Sequence, residues 1–228
     1  MFPLTRPAPI TDTEFATLRA GARVLESDAR GEKVLLTPDR RIIKLFYPRR
    51  RFTSARLYPY AIRFWKNTQR LRARGITTIC CEQLRYQRQQ RRHVITYPLL
   101  PGTTLRECLQ DKHCGDGHLA ALAAFMAKLH ASGILFRSIH LGNILVLEDG
   151  GFGLIDVADM RIRHWRLGLS RRARNFRHLL HDRRDREIFG DYGYQRFLEE
   201  YETAAGISGW RSRRLRTLIR RHAPSFPI

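Results

Sequence analysis

Ser138, His140, Asn143 and Asp156 are the residues whose types and spacing could do chemistry. The first three fall in Phe136-Arg137-Ser138-Ile139-His140-Leu141-Gly142-Asn143. An apolar run over residues 144–147, the turn Glu148-Asp149-Gly150-Gly151 and a second apolar run over 152–155 lead to Asp156. Two short apolar strands around a glycine turn form a hairpin, which brings Asn143 and Asp156 to one edge. Both offer hard oxygen donors of the kind Mg²⁺ prefers. Phosphoryl transfer needs such a metal on the phosphates, and also a carboxylate that orients the acceptor hydroxyl. Ser138 stands where that carboxylate is needed, and a serine hydroxyl is a poor base near neutral pH. His140 titrates in a suitable range. It could act as the base, or only pack and hydrogen-bond within the loop, which is the favoured reading.

The spacing follows the catalytic-loop and metal-strand pattern H-R-D-L-x-x-x-N then D-F-G, with serine at the aspartate position. The elements that must hold it are legible on both sides. Leu119, Leu122, Ala123, Phe125, Met126 and Leu129 recur at three- and four-residue spacing, predicting a helix over 118–132 that Gly133 ends. Upstream, strands are predicted over 22–26, 33–37 and 40–46, with turns at 27–31 and at Pro38-Asp39. The third carries Ile42-Ile43-Lys44-Leu45. Lysine is scarce here, five against a total of 42 basic residues, and a compact ammonium at mid-strand suits a phosphate contact. A basic helix over 56–74 follows, with Tyr60, Phe64, Asn67 and Leu71 along one side. Then come a strand pair around Glu82-Gln83-Leu84 and Val94-Ile95-Thr96-Tyr97, a connection at 98–102, and a helix capped by Thr103 or Thr104. Helices over 174–180 and 194–203 close this part of the chain.

With these residues the chain resembles the lipopolysaccharide core (heptose) kinase group of the protein-kinase-like fold, and within it the toluene-tolerance branch. The resemblance runs through residues 20–205 in order. It implies an α+β, two-lobed fold: a small N-terminal antiparallel sheet lobe at about 20–97, a mainly helical C-lobe at 98–205, and a basic C-terminal helix at 206–228. It also implies ATP and Mg²⁺ as cofactors, a hydroxyl of the lipopolysaccharide core as acceptor, and a cytoplasmic, membrane-peripheral location. Carried over by position, Lys44 would touch the nucleotide phosphates and Asn143 and Asp156 would hold the metal. Ser138 would occupy the acceptor-activating place.

Three features depart from that pattern. Ser138 replaces the aspartate. No Asp or Glu occurs between Leu45 and Cys81, so the helix that normally supplies a glutamate to the lysine offers only Asn67 or Gln69. The loop over 26–32 has Gly31 but no G-x-G-x-x-G, which limits close approach of backbone N–H groups to phosphate.

Charge bears on partners. Basic residues outnumber acidic ones 42 to 21, a net charge of +21 whose field attracts any polyanion. The basic runs are Arg49-Arg50-Arg51 and the stretches 85–92, 161–174 and 211–221. In the last, Leu215, Leu218 and Ile219 share a face beneath arginines. That helix suits an anionic membrane surface, or it docks on the domain with a solvated basic face. Three functions follow: a kinase with altered machinery, a pseudokinase that regulates or scaffolds envelope and stress functions, and a nucleic-acid binder. The last is weakest, because no recognition helix, zinc finger or aromatic strand accompanies the arginines. No apolar run is long enough to span a bilayer, and residues 1–11 do not read as a secretory signal. Cys80, Cys81, Cys108 and Cys114 form no C-x-x-C pair, and reduced thiols in the cytosol are the expectation.

Overall fold

The computed structural model describes residues 6–48 and 59–223. The chain divides into two compact units after Pro101. The fold is α+β: a unit built on one sheet, then a unit that is mainly helical.

In the first unit, β1 (Ala8–Ile10), α1 (Asp12–Arg19), β2 (Arg23–Asp28), β3 (Gly31–Leu36) and β4 (Arg41–Phe46) precede α2 (Tyr60–Arg72). The short β5 (Thr77–Thr78) and the hairpin β6 (Gln83–Gln87) with β7 (Arg92–Pro98) complete it. The six-stranded sheet has the order β1-β6-β7-β4-β3-β2. Its central pairs are antiparallel, as expected, and β1 joins β6 in parallel. Neither β1 nor α1 figures in the sequence reading. A Thr11/Glu14 capping box starts α1, each side chain satisfying a backbone N–H at the helix end. Phe15 of α1 then closes one face of the sheet with Ile10, Leu35, Ile43, Leu45 and Val94. Alternation along β4 turns Ile43 and Leu45 to that face and Lys44 with Phe46 to the other. The predicted helix over 56–74 is observed from Tyr60, its first residues lying outside the described ones. Phe64, Asn67, Thr68 and Leu71 are buried at helical spacing.

In the second unit, β8 (Thr103–Thr104) leads into α3 (Leu105–Gln110), which Thr104 and Glu107 cap reciprocally. The long α4 (Asp116–Ala131) and β9 (Ile134–Phe136) come next. A 3₁₀ turn at Leu141–Asn143 then opens the hairpin β10 (Ile144–Val146) and β11 (Phe152–Leu154). β10 pairs antiparallel with β11 and with β8, and β12 (Met160–Ile162) pairs with β9. Four helices follow: α5 (Leu169–Leu179), α6 (Arg183–Tyr192), α7 (Tyr194–Ala204) and α8 (Gly209–His222). Of these α6 is missing from the sequence reading. Its signal is Asp182, whose side chain accepts from the N–H of Arg184. The core joins α5 to α7 through Phe176, Phe197 and Tyr201, and α4 to α7 through His130 against Tyr201, all packed edge to face.

One expectation is corrected. Cys108 and Cys114 form a disulfide linking the end of α3 to the start of α4. Six residues of separation and the helix turn between them bring the thiols together without a C-x-x-C pattern. Leu215 and Ile219 of α8 are fully buried, so its apolar face belongs to the core and the docked form of this helix holds. Among the described residues no helix is long and apolar enough to cross a membrane. The basic run 49–51 lies outside the described residues.

Candidate functional site

The loop between β9 and β10 is held at both ends by buried side chains from later helices. At its entry, Asn175 of α5 acts as a two-pronged clamp on Phe136. Its Nδ2 donates to the Phe136 carbonyl at 2.7 Å, and its Oδ1 accepts from the Phe136 N–H at 3.3 Å. The same Oδ1 lies 3.2 Å from His130 Nε2, and His130 Nδ1 lies 2.7 Å from the Tyr201 hydroxyl. Because Oδ1 can only accept, His130 carries its proton on Nε2, and Nδ1 accepts from Tyr201. Burial, with Arg172 nearby, pushes His130 down to about 3, so the ring is neutral.

At the exit, the fully buried Asp185 of α6 accepts from the Leu141 N–H at 2.8 Å. Its charge is matched by Arg106 of α3, whose Nε lies 2.7 Å from Asp185 Oδ1. Arg106 also pairs with Asp182 at 2.9 Å. A bidentate, charge-assisted pair with a further backbone donor is the arrangement that makes a buried carboxylate tolerable.

Between these clamps lie the candidate residues. Asn143, buried on the 3₁₀ turn, donates from Nδ2 to the Ser138 carbonyl at 2.8 Å, and its N–H donates to the His140 carbonyl at 2.9 Å. Among the described residues its Oδ1 accepts no hydrogen bond. The β10–β11 register sets Ile144 against Leu154, and the Ile155 N–H donates to the Asn143 carbonyl at 3.1 Å. Asn143 and Asp156 are therefore neighbours at one end of the hairpin, as the turn spacing predicts. Asp156 has φ +50°, in the left-handed region that few non-glycine residues adopt. Such strain is held in place by its surroundings and concentrates at functional positions.

His140 is already employed. Its Nδ1 accepts from the Gly142 N–H at 3.1 Å, which leaves the ring proton on Nε2. The nitrogen with a lone pair is the one the loop uses. Burial and then Arg106 lower its pKa, opposed by Asp185, Asp182 and Asp156. Ser138 contributes its carbonyl to Asn143 and brings no carboxylate. Asp159 forms an ion pair with Arg137 and accepts the Arg137 N–H through its carbonyl. The antiparallel β9–β12 pairing explains this, because it lays Asp159 beside Arg137.

Lys44 lies in the sheet unit, its Nζ 5.5 Å from the ring centre of Phe64 and 5.9 Å from that of Phe46. The negative face of an aromatic ring attracts an ammonium group. The ring of Phe64 comes from α2, the helix with no acidic residue.

Arg106, Asn175 and Asp185 are absent from the sequence reading. Asp185 lies among Arg183, Arg184 and Arg186 and reads as one exposed ion pair among many. Only the fold turns it inward.

No family model matches the chain, and no curated protein matches it. Among solved structures it is similar to WbdD, seen in a co-crystal structure with the kinase inhibitor LY294002, at 16% identity and a TM-score of 0.47. The correspondence covers 79% of this chain and 45% of that one, so the chain spans less than half the length of WbdD. A likeness this loose carries no argument about activity.

Proposed function

We propose that the chain binds Mg-ATP as a kinase-like protein of the lipopolysaccharide core kinase type, and that its acceptor is a hydroxyl of a core sugar. The observation that carries the reading is the pairing of Asn143 and Asp156 across the hairpin. An amide oxygen with no hydrogen bond beside a carboxylate is a donor set suited to Mg²⁺. That ion takes one or two protein oxygens and completes its shell with phosphate and water. Among the described residues no cluster of three or more His, Cys, Asp or Glu offers a cage for a metal. Asn143 and Asp156 would hold the ion, which supplies charge neutralisation on the phosphates. Lys44 keeps the role the resemblance gives it, contact with those phosphates. The reading carries a location with it, the cytoplasmic side of the inner membrane.

Ser138 and His140 favour a second reading, a pseudokinase that binds nucleotide and regulates or scaffolds envelope or stress functions. A hydroxyl cannot take the acceptor's proton, and the basic nitrogen of His140 is occupied by Gly142.

One set of measurements tests both. Mg-ATP at a hundredfold excess over its dissociation constant should stabilise the protein by about 2–3 kcal/mol, and Asn143→Ala and Asp156→Ala should remove the effect. Transfer of labelled phosphate to core oligosaccharide, stopped by Asp156→Ala, establishes the kinase. Stabilisation without transfer, with activity appearing in Ser138→Asp, establishes the pseudokinase. No stabilisation by Mg-ATP removes both.

A further inference from the structure

Helix α8 has its apolar side committed to the domain. Leu215 and Ile219 are fully buried, and on the neighbouring flank Arg216 and Ser212 both bind Glu202 of α7, at 2.7 and 2.8 Å. What the helix turns to solvent is a single stripe: Trp210, Arg213, Arg214, Thr217, Arg220 and Arg221 are its exposed residues beyond Gly209. At 100° per residue these six fall within about 120° of the helix circumference, along roughly 16 Å of its axis. No acidic residue occurs anywhere in Gly209–His222. Trp210, 65% exposed, has the largest exposure of the large hydrophobic side chains among the described residues.

We propose that this outer face of α8 is a docking surface for an anionic lipid bilayer. Four guanidinium groups in one row complement a plane of headgroup phosphates, which they can engage bidentately. The indole at the end of the row is the side chain that settles at the boundary between headgroups and acyl chains. Because Leu215 and Ile219 stay in the core, the helix lies on the membrane rather than in it. Binding is then chiefly electrostatic and weakens as salt shortens the screening length from about 30 Å at 0.01 M to about 8 Å at 0.15 M. The proposal does not depend on nucleotide binding.

Sedimentation of the full chain with vesicles tests it. Partition onto phosphatidylglycerol-containing vesicles should exceed that onto pure phosphatidylcholine and fall with added salt. The combined substitution Arg213→Gln, Arg214→Gln, Arg220→Gln and Arg221→Gln should lower it by about a hundredfold or more, at roughly fivefold per arginine. All four side chains are exposed, so the fold is kept, and an unchanged melting temperature verifies this. Removing the same charge from the sheet unit, with Arg23, Arg30, Arg88 and Arg91 changed to Gln, should have a much smaller effect. The idea is overturned if the two sets lose binding equally, or if neutral vesicles bind as well as anionic ones. It also falls if the α8 set abolishes binding to a short RNA duplex and leaves vesicle partition unchanged.

Discussion

The two units handle buried charge differently. In the sheet unit, Arg92 is the buried cation: it binds Gln87 at 2.6 Å and Tyr47 at 2.8 Å and stacks over Phe15. Gln87 in turn reaches Asp12 at 2.7 Å, so the cluster fastens α1 to the near end of β6 and β7 and to Tyr47 just past β4. The ion pairs elsewhere on that unit, such as Arg41 with Glu82, are partly solvated. In the helical unit, three separate polar groups converge on one loop: Asn175 at Phe136, Asp185 at Leu141, and Asn143 at Ser138. Burying polar groups costs free energy unless every one is matched. Concentrating them on a single loop fixes its backbone more sharply than apolar packing would, since hydrogen bonds are directional and dispersion contacts are not. The sheet unit uses polar burial to hold elements together. The helical unit uses it to hold one stretch of chain in one shape.

The comparison is broken or sharpened by four measurements. The largest effect belongs to Asp185→Ala, which leaves Arg106 with only the partly exposed Asp182 and the Leu141 N–H with no acceptor; it should cost about 3 kcal/mol in denaturant unfolding. Next is acid. His130 has a folded pKa of about 3 against an ordinary value of 6.5, so the unfolded chain binds more protons between those limits. Stability contributed by its neutral form is complete above about pH 6.5 and is lost progressively as pH falls towards 3. The melting temperature should therefore drop between pH 7 and 5, before carboxylates titrate, and His130→Gln should flatten that slope. A wild-type curve that stays flat over this window refutes the neutral, buried histidine. Third, reduction of Cys108–Cys114 reopens a loop of about seven residues, worth about 2 kcal/mol by chain entropy. A reductant should shift the melting curve accordingly, and Cys108→Ser with Cys114→Ser should abolish that shift. The smallest effect is Glu82→Gln in the sheet unit, whose half-solvated pair with Arg41 should be worth less than about 1 kcal/mol. If it cost as much as Asp185→Ala, the contrast between the units would vanish.

Which parts were legible follows from the range of the interactions. The three hairpin strands β2 to β4, the helix α4 and the β10–β11 hairpin are fixed by local periodicity and turn residues, and their observed bounds differ from the expected ones by a residue or two. The juxtaposition of Asn143 and Asp156 is of the same kind, because a hairpin register fixes it. What was not legible depends on side chains meeting from distant parts of the chain. Arg106 and Asp185 are 79 residues apart, and His130 and Tyr201 are 71 apart. Nothing in the local pattern marks them. Helix α1 was legible and was missed, since Thr11-x-x-Glu14 is a capping box in plain sight. The pairing of Cys108 with Cys114 depends on where α3 ends, which composition does not reveal.

Gly133 closes α4 at φ +75°, and a Cβ built there would lie 2.6 Å from the carbonyl oxygens of both Arg163 and Trp165. The Arg163 N–H also donates to its carbonyl at 3.0 Å. The stretch leading to α5 thus rests on a spot with room for a hydrogen atom and nothing larger. Even alanine would lift that stretch off its shelf and carry exposed Trp165 with it, so this position has no conservative replacement.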